Sequence, residues 1–150
     1  MDRQTRVMMF HRLYRKHSGM DGDRDNGVFL GDVRDEMDLE FAIDDDDDVI
    51  LAWEGELGNW LVLTRKLLIW SDRQDVHKLG LGEIVRIDID KTELIRSRSQ
   101  ADVSEFYRGL RELIVATREV TYVIPYASGH HVLGLWNVIR LLSIGASRST

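Results

Sequence analysis

Short apolar runs broken by small polar turns dominate the middle of the chain. VILAWE (Val49–Glu54) ends at Gly55 and Gly58, WLVLT (Trp60–Thr64) and LLIW (67–70) are split only by Arg65-Lys66, and a short run at 77–81 stops at Gly82. Runs of four to six residues with aromatics suit strands better than helices. Residues 84–90 then alternate, with Val85, Ile87 and Ile89 on one face and Arg86, Asp88 and Asp90 on the other. A period of two describes a pleated strand with one face buried, so the region predicts a half-buried antiparallel meander. Further on, Leu113 and Val115 share a face, as do Val120, Tyr122 and Ile124. Residues 117–119 make the turn between them, and the chain's only proline, Pro125, closes the hairpin.

Helical spacing marks the two ends. Over 3–17, Val7, Phe10, Leu13 and Tyr14 form a stripe with Met9 near it, while Arg3, Arg6, Arg12, Arg15 and Lys16 take much of the rest; Ser18-Gly19 stops the helix. A basic amphipathic helix can lie on an anionic membrane surface. The stripe here is narrow and lacks tryptophan, which favours packing on the sheet. Residues 30–43 predict a second helix through Val33, Met37 and Phe41. Order is lost over 91–109, with a short helix expected around 102–108. The C-terminal stripe of Val132, Leu135, Trp136, Ile139 and Leu142 predicts a helix capped by Ser128 and ended by Gly145.

At 150 residues the chain is sized for one domain with a sizeable core. No apolar run nears the roughly 20 residues that span a bilayer. The N-terminus has no continuous apolar stretch of signal-peptide type, and without cysteine there is no disulfide or thiolate site. A cytoplasmic location is the resulting expectation. The net charge of −6 is unevenly spread. Residues 1–19 carry +4, residues 20–48 carry −11 and the remainder carries +1. Nucleic acid needs a basic footprint, which the main region lacks, so that partner is not expected.

Two acidic stretches are candidate sites. In DGDRDNGVFLGD (21–32), Asp21, Asp23, Asp25 and Asp32 fall at places where a calcium loop of the EF-hand type puts oxygen ligands, with Val28 at the apolar eighth place. Asn26 stands where that loop needs glycine, and Ser18-Gly19 breaks the helix that should lead in; the plainer alternative is an acidic linker. The block Asp44, Asp45, Asp46, Asp47 and Asp48 predicts a solvated loop or an interaction patch, because adjacent like charges repel and point different ways. Of the five histidines, His11 and His17 are expected on the solvated basic helix, and the adjacent His130 and His131 in the first turn of the last helix, at its surface. No nucleophile elbow, phosphate loop or HExxH motif occurs, and no cofactor is implied. The expectation is a protein that is not an enzyme.

The segments WLVLTRKLLIW, HKLGLGEIVRIDI, ELIVATREVTYVIP and VLGLWNVIRLL, taken in that order, resemble the bacterial PH-like and GRAM-type domains of the pleckstrin-homology superfold. The resemblance covers about residues 49–145. It implies an α+β fold: a bent antiparallel sheet or barrel of six or seven strands, stoppered by the C-terminal helix. Residues 1–48 then form an N-terminal helical and acidic extension packed on a domain of residues 49–150. Members that bind inositol phosphates carry cations on the first two strands and their loop. Here that loop is EGELGN, with Glu54 and Glu56 and no cation, so phosphates are not its expected ligand. The leading functional expectation is a binding module that recognises a protein partner of basic character through Asp44 to Asp48, Glu54 and Glu56. An immunity or inhibitor protein against a basic toxin is one concrete form. The alternatives are a peripheral membrane module using helix 3–17 and a calcium-responsive regulator using 21–32.

Overall fold

The computed structural model describes residues 2–32, 43–44, 46–72, 74–89, 111–127 and 129–148. It begins with helix α1 (Arg3–Ser18), which Asp2 caps by accepting the Thr5 N–H at 2.8 Å. Gly19 closes the helix in the left-handed region (φ 73°), where glycine carries no Cβ penalty, and its N–H bonds the Arg15 carbonyl. Strands β1 (Arg24–Asp25) and β2 (Val28–Phe29) follow, then β3 (Val49–Glu54), β4 (Trp60–Thr64), β5 (Leu67–Ser71) and β6 (Val76–Gly80). These six pair in sequence order as one antiparallel sheet, and β7 (Arg86–Ile89), β8 (Glu112–Ala116) and β9 (Thr121–Pro125) form a second. Helix α2 (His130–Arg148) ends the fold and packs along α1 and against the second sheet.

The expected six or seven strands correspond to β3 to β9, β1 and β2 are additional, and the expected α+β class holds. The first sheet departs from expectation in being buried on both faces, which is why β3 to β5 read as near-continuous apolar runs. One face meets the main core through Ile50, Leu51, Trp53, Leu61, Leu63, Leu68 and Trp70. The other meets a smaller cluster of Ile43, Val49, Ala52, Val62 and Ile69. A register shift between Val49 and Leu51 lets the consecutive Ile50 and Leu51 both enter the main core.

Four local expectations are corrected. β6 stops at Gly80, and the chain turns through a short 3-10 segment (Leu81–Glu83) whose Glu83 carboxylate accepts the Gly80 N–H. Val85 lies before β7 and is 59% exposed, so it does not share the inward face of Ile89. The last helix runs through Gly145 to Arg148, since an isolated glycine weakens a helix without ending it. Trp136 is only half-buried, while Val132, Leu135, Ile139 and Leu142 plug the core. The expected helix over 30–43 falls largely outside the described residues, as do the 102–108 helix and the Ser128 cap.

The hairpin of β1 and β2 joins the first sheet by backbone pairing. Asn26 (φ 49°) and Gly27 (φ 82°) make the turn of a β1–β2 hairpin, and β2 pairs with β3 through Val28 opposite Trp53. A side chain at Gly27 would collide with the Glu54 carbonyl, so glycine is required there twice over.

Candidate protein-binding surface

The acidic residues singled out by sequence do not form one patch. β3 separates them, with the 44–48 block at its start and Glu54 and Glu56 at its end, about 20 Å apart by strand rise.

At the first end, the expected solvated block is largely absorbed by structure. Asp47 and Asp48 are buried, at 1% and 4% exposure. Asp47 accepts the Thr64 hydroxyl at 2.5 Å and the Asp48 N–H at 2.8 Å. The Thr64 oxygen in turn accepts the Lys66 and Leu67 N–H groups, so Asp47 buttresses the β4–β5 turn. The Asp48 carboxylate lies 3.7 Å from Arg6 and 3.4 Å from Arg65. Asp46 is exposed but pairs with Lys66 at 3.1 Å, a bond that holds its carboxyl below the usual range. Asp44 is exposed, and Asp45 lies outside the described residues. A buried carboxylate needs fixed partners, and Asp47 and Asp48 have theirs within the fold.

The other end is open. Glu54 and Glu56 are exposed and have no ion pair among the described residues. With Leu57, Arg111, Glu112 and Pro125 they line a cleft of about 700 Å³ between the β1–β2 turn, the β3–β4 turn and the ends of β8 and β9. Its floor includes Trp53 and Tyr126, whose ring centroids are 5.5 Å apart. Leu57 is 72% exposed at the tip of the β3–β4 turn, the most exposed of the large apolar side chains described.

Three of the expected calcium ligands lie within or beside the β1–β2 hairpin. Asp23 pairs with Arg15 at 2.8 Å and Asp25 with His131 at 2.9 Å, while Asp21 and Asp32 are exposed. Among the described residues, no three acidic or histidine groups converge as a metal site would require.

Sequence reasoning places His131 at the surface, whereas it is buried within a polar chain. Its Nδ1 bonds the Tyr14 hydroxyl at 2.8 Å and its Nε2 the Asp25 carboxylate at 2.9 Å, and the Tyr14 and Tyr126 hydroxyls are 2.8 Å apart. One consistent set of donors has Tyr126 donating to Tyr14, Tyr14 to Nδ1 and Nε2–H to Asp25, which satisfies every group with the imidazole neutral. Burial pushes both tyrosine hydroxyls up from their ordinary value. Such phenols stay protonated, so the chain clasps α1, β1, α2 and the end of β9 and supplies no nucleophile. His11, expected to be solvated, is also partly buried, and its Nε2–H donates to the Ile50 carbonyl at 2.7 Å. Desolvation lowers its pKa despite that bond, which keeps the ring neutral. The sequence signal for this network is faint: a histidine one residue before the buried stripe of α2, and a tyrosine on the stripe of α1.

Against known structures, the arrangement is similar to the crystal structure of a DUF1696 family protein with a pleckstrin-homology domain from Shewanella loihica PV-4. The two share a TM-score of 0.56 and 16% identity, over 79% of this chain and 99% of the other. The chain therefore has a pleckstrin-homology-like fold, as the order of its apolar segments implied. No protein-family model matches it, and no curated protein does.

Proposed function

We propose that this protein is a non-catalytic binding module that takes a basic segment of a protein partner into the cleft between the β1–β2 and β3–β4 turns. One observation carries the reading: Glu54, Glu56, Glu112 and the exposed Leu57 line one open cleft to which the described residues contribute one cation, Arg111. An apolar anchor inside a charged rim is the usual anatomy of a protein interface. Uncompensated carboxylates would attract lysine or arginine and raise the association rate. The loops of a rigid sheet commonly carry recognition, and the fold by itself assigns no ligand. The narrower form of the proposal is an inhibitor or immunity protein that covers the anion-binding surface of a basic toxin such as a nuclease.

Capture from the native host separates the outcomes, comparing wild type with Glu54→Lys/Glu56→Lys/Leu57→Asp at low and moderate salt. The reading expects a basic partner retained by wild type, weakened by salt and lost with the triple variant. No partner, or one that the variant retains equally, overturns it.

A further inference from the structure

Among the described residues, Asn26 alone of the non-glycines takes a positive φ (49°), and Gly27 follows it at 82°. The pair turns the β1–β2 hairpin, and both residues are exposed and line the acidic cleft. Neither the Asn26 carboxamide nor the Gly27 N–H has a hydrogen-bond partner among the described residues.

An asparagine followed by glycine is chemically labile. The backbone nitrogen of the second residue can attack the side-chain carbonyl carbon of the first, and glycine brings no Cβ to crowd that nitrogen. The chain's other two asparagines are poorly placed for this reaction. Asn59 precedes the bulky Trp60. Asn137 lies within α2 before the β-branched Val138, and its amide donates to the Leu133 carbonyl at 2.8 Å. At Asn26, attack needs a backbone rotation that the paired turn resists, but the restraints are few. β1 is a two-residue edge strand, exposed throughout and paired only with β2. Beyond that pairing, Asp25 is held by the His131 Nε2 bond at 2.9 Å. A short exposed edge opens locally at far lower cost than the whole fold.

We propose that Asn26 is a site of spontaneous deamidation, restrained by the Asp25–His131 bond beside it. The Gly27 nitrogen loses its proton to hydroxide and bonds the Asn26 side-chain carbonyl carbon. The bond from that carbon to the amide nitrogen breaks, and ammonia leaves. Water then opens the cyclic imide. Cleavage at the side-chain carbonyl restores the main chain and yields aspartate, whereas cleavage at the backbone carbonyl reroutes the chain and yields isoaspartate. No oxidant or reductant takes part. Aspartate adds a carboxylate to the cleft that holds Glu54, Glu56 and Glu112. Isoaspartate adds a methylene to the main chain of a two-residue turn, which displaces the Gly27 carbonyl from its 3.0 Å bond to the Glu54 N–H. The effect on recognition rests on the acidic cleft being the binding site; the modification itself does not.

Incubation of the full chain at mildly alkaline pH tests the assignment, read by mass spectrometry of its peptides and by isoaspartyl methyltransferase labelling. Wild type should gain the mass of amide-to-acid exchange at Asn26 well before Asn59 or Asn137, take up methyl label there, and react faster as pH rises. Asn26→Gln, one methylene longer, should take up no label at that position. Asp25→Ala removes a half-exposed side chain and should convert roughly tenfold faster, the factor expected when one hydrogen bond stops holding the hairpin. Circular dichroism confirms that this variant is folded, and the wild-type measurement decides the site without it. The proposal is overturned if Asn26 converts no faster than Asn59 and Asn137, or if folded Asp25→Ala converts at the wild-type rate. Both readouts are made with no partner present, so their failure is distinct from a failure of the cleft to capture one.

Discussion

β3 has carboxylates at both ends, and the two ends treat them oppositely. Before Val49, Asp47 and Asp48 are sealed under side chains from α1 and the β4–β5 turn. After Trp53, Glu54 and Glu56 stand in water beside an exposed leucine. From sequence the first group looks the stronger candidate, with five consecutive acids against two. Availability depends on what the neighbouring strands bring near, and Thr64 and Arg65 reach the 44–48 block only through β-pairing.

The buried end should respond most to substitution. Asp48→Ala leaves Arg6 and Arg65 without their carboxylate, and should destabilise by about 2–3 kcal/mol in urea unfolding; the value is below that of a fully buried pair because both arginines are about one-third exposed. Asp47→Ala should cost about the same, since Thr64 Oγ1 and the Asp48 N–H lose a charged acceptor. Tyr14→Phe is the next largest effect, about 1–2 kcal/mol, because the Tyr126 hydroxyl and His131 Nδ1 lose their partner.

Acid titration separates buried from exposed groups without altering any contact. His11 has its pKa lowered by burial from 6.5, so as pH falls below that value the unfolded chain takes the proton first and stability declines. Relative to His11→Gln, wild type should therefore lose stability as pH falls through 6.5. Asp72 behaves in the opposite sense. Accepting the Asp75 N–H, the His77 ring and the Gln74 N–H lowers its pKa from 3.8 to about 2, so its contribution is present above 3.8 and fades as pH falls towards 2. Asp72→Asn should remove that acid-limb dependence. The smallest effect on stability belongs to the open end. Glu54→Lys/Glu56→Lys should leave the unfolding midpoint in place while abolishing partner capture, and any large loss of stability would show that these acids are structural too.

Much of the fold is legible in the sequence. β3 to β9 follow the apolar runs, because a strand's period is local and the runs are long enough to show it. The hairpin of β1 and β2 is obscured by the alternating aspartates around it, although Asn26-Gly27 is itself a strong signal for a two-residue turn. The open acidic cleft is half legible. Glu54 and Glu56 sit on a recognisable turn, but Glu112, Arg111 and Tyr126 join them only through the packing of the second sheet. Asp47, Asp48 and His131 are misplaced by sequence for a common reason: a polar residue reads as exposed until its distant partner is known.

The clasp of Tyr14, Asp25, Tyr126 and His131 also bears on the order in which this protein can be completed during synthesis. Its bonds join residues separated by 112, 117 and 106 positions. A ribosome-bound chain lacking the last helix therefore carries a phenol and a carboxylate near its beginning with no imidazole to receive them. Closure must wait until His131 has been made, and long-range closures of this kind are slow. Until then the arginine-rich first helix has only a partial platform to rest on.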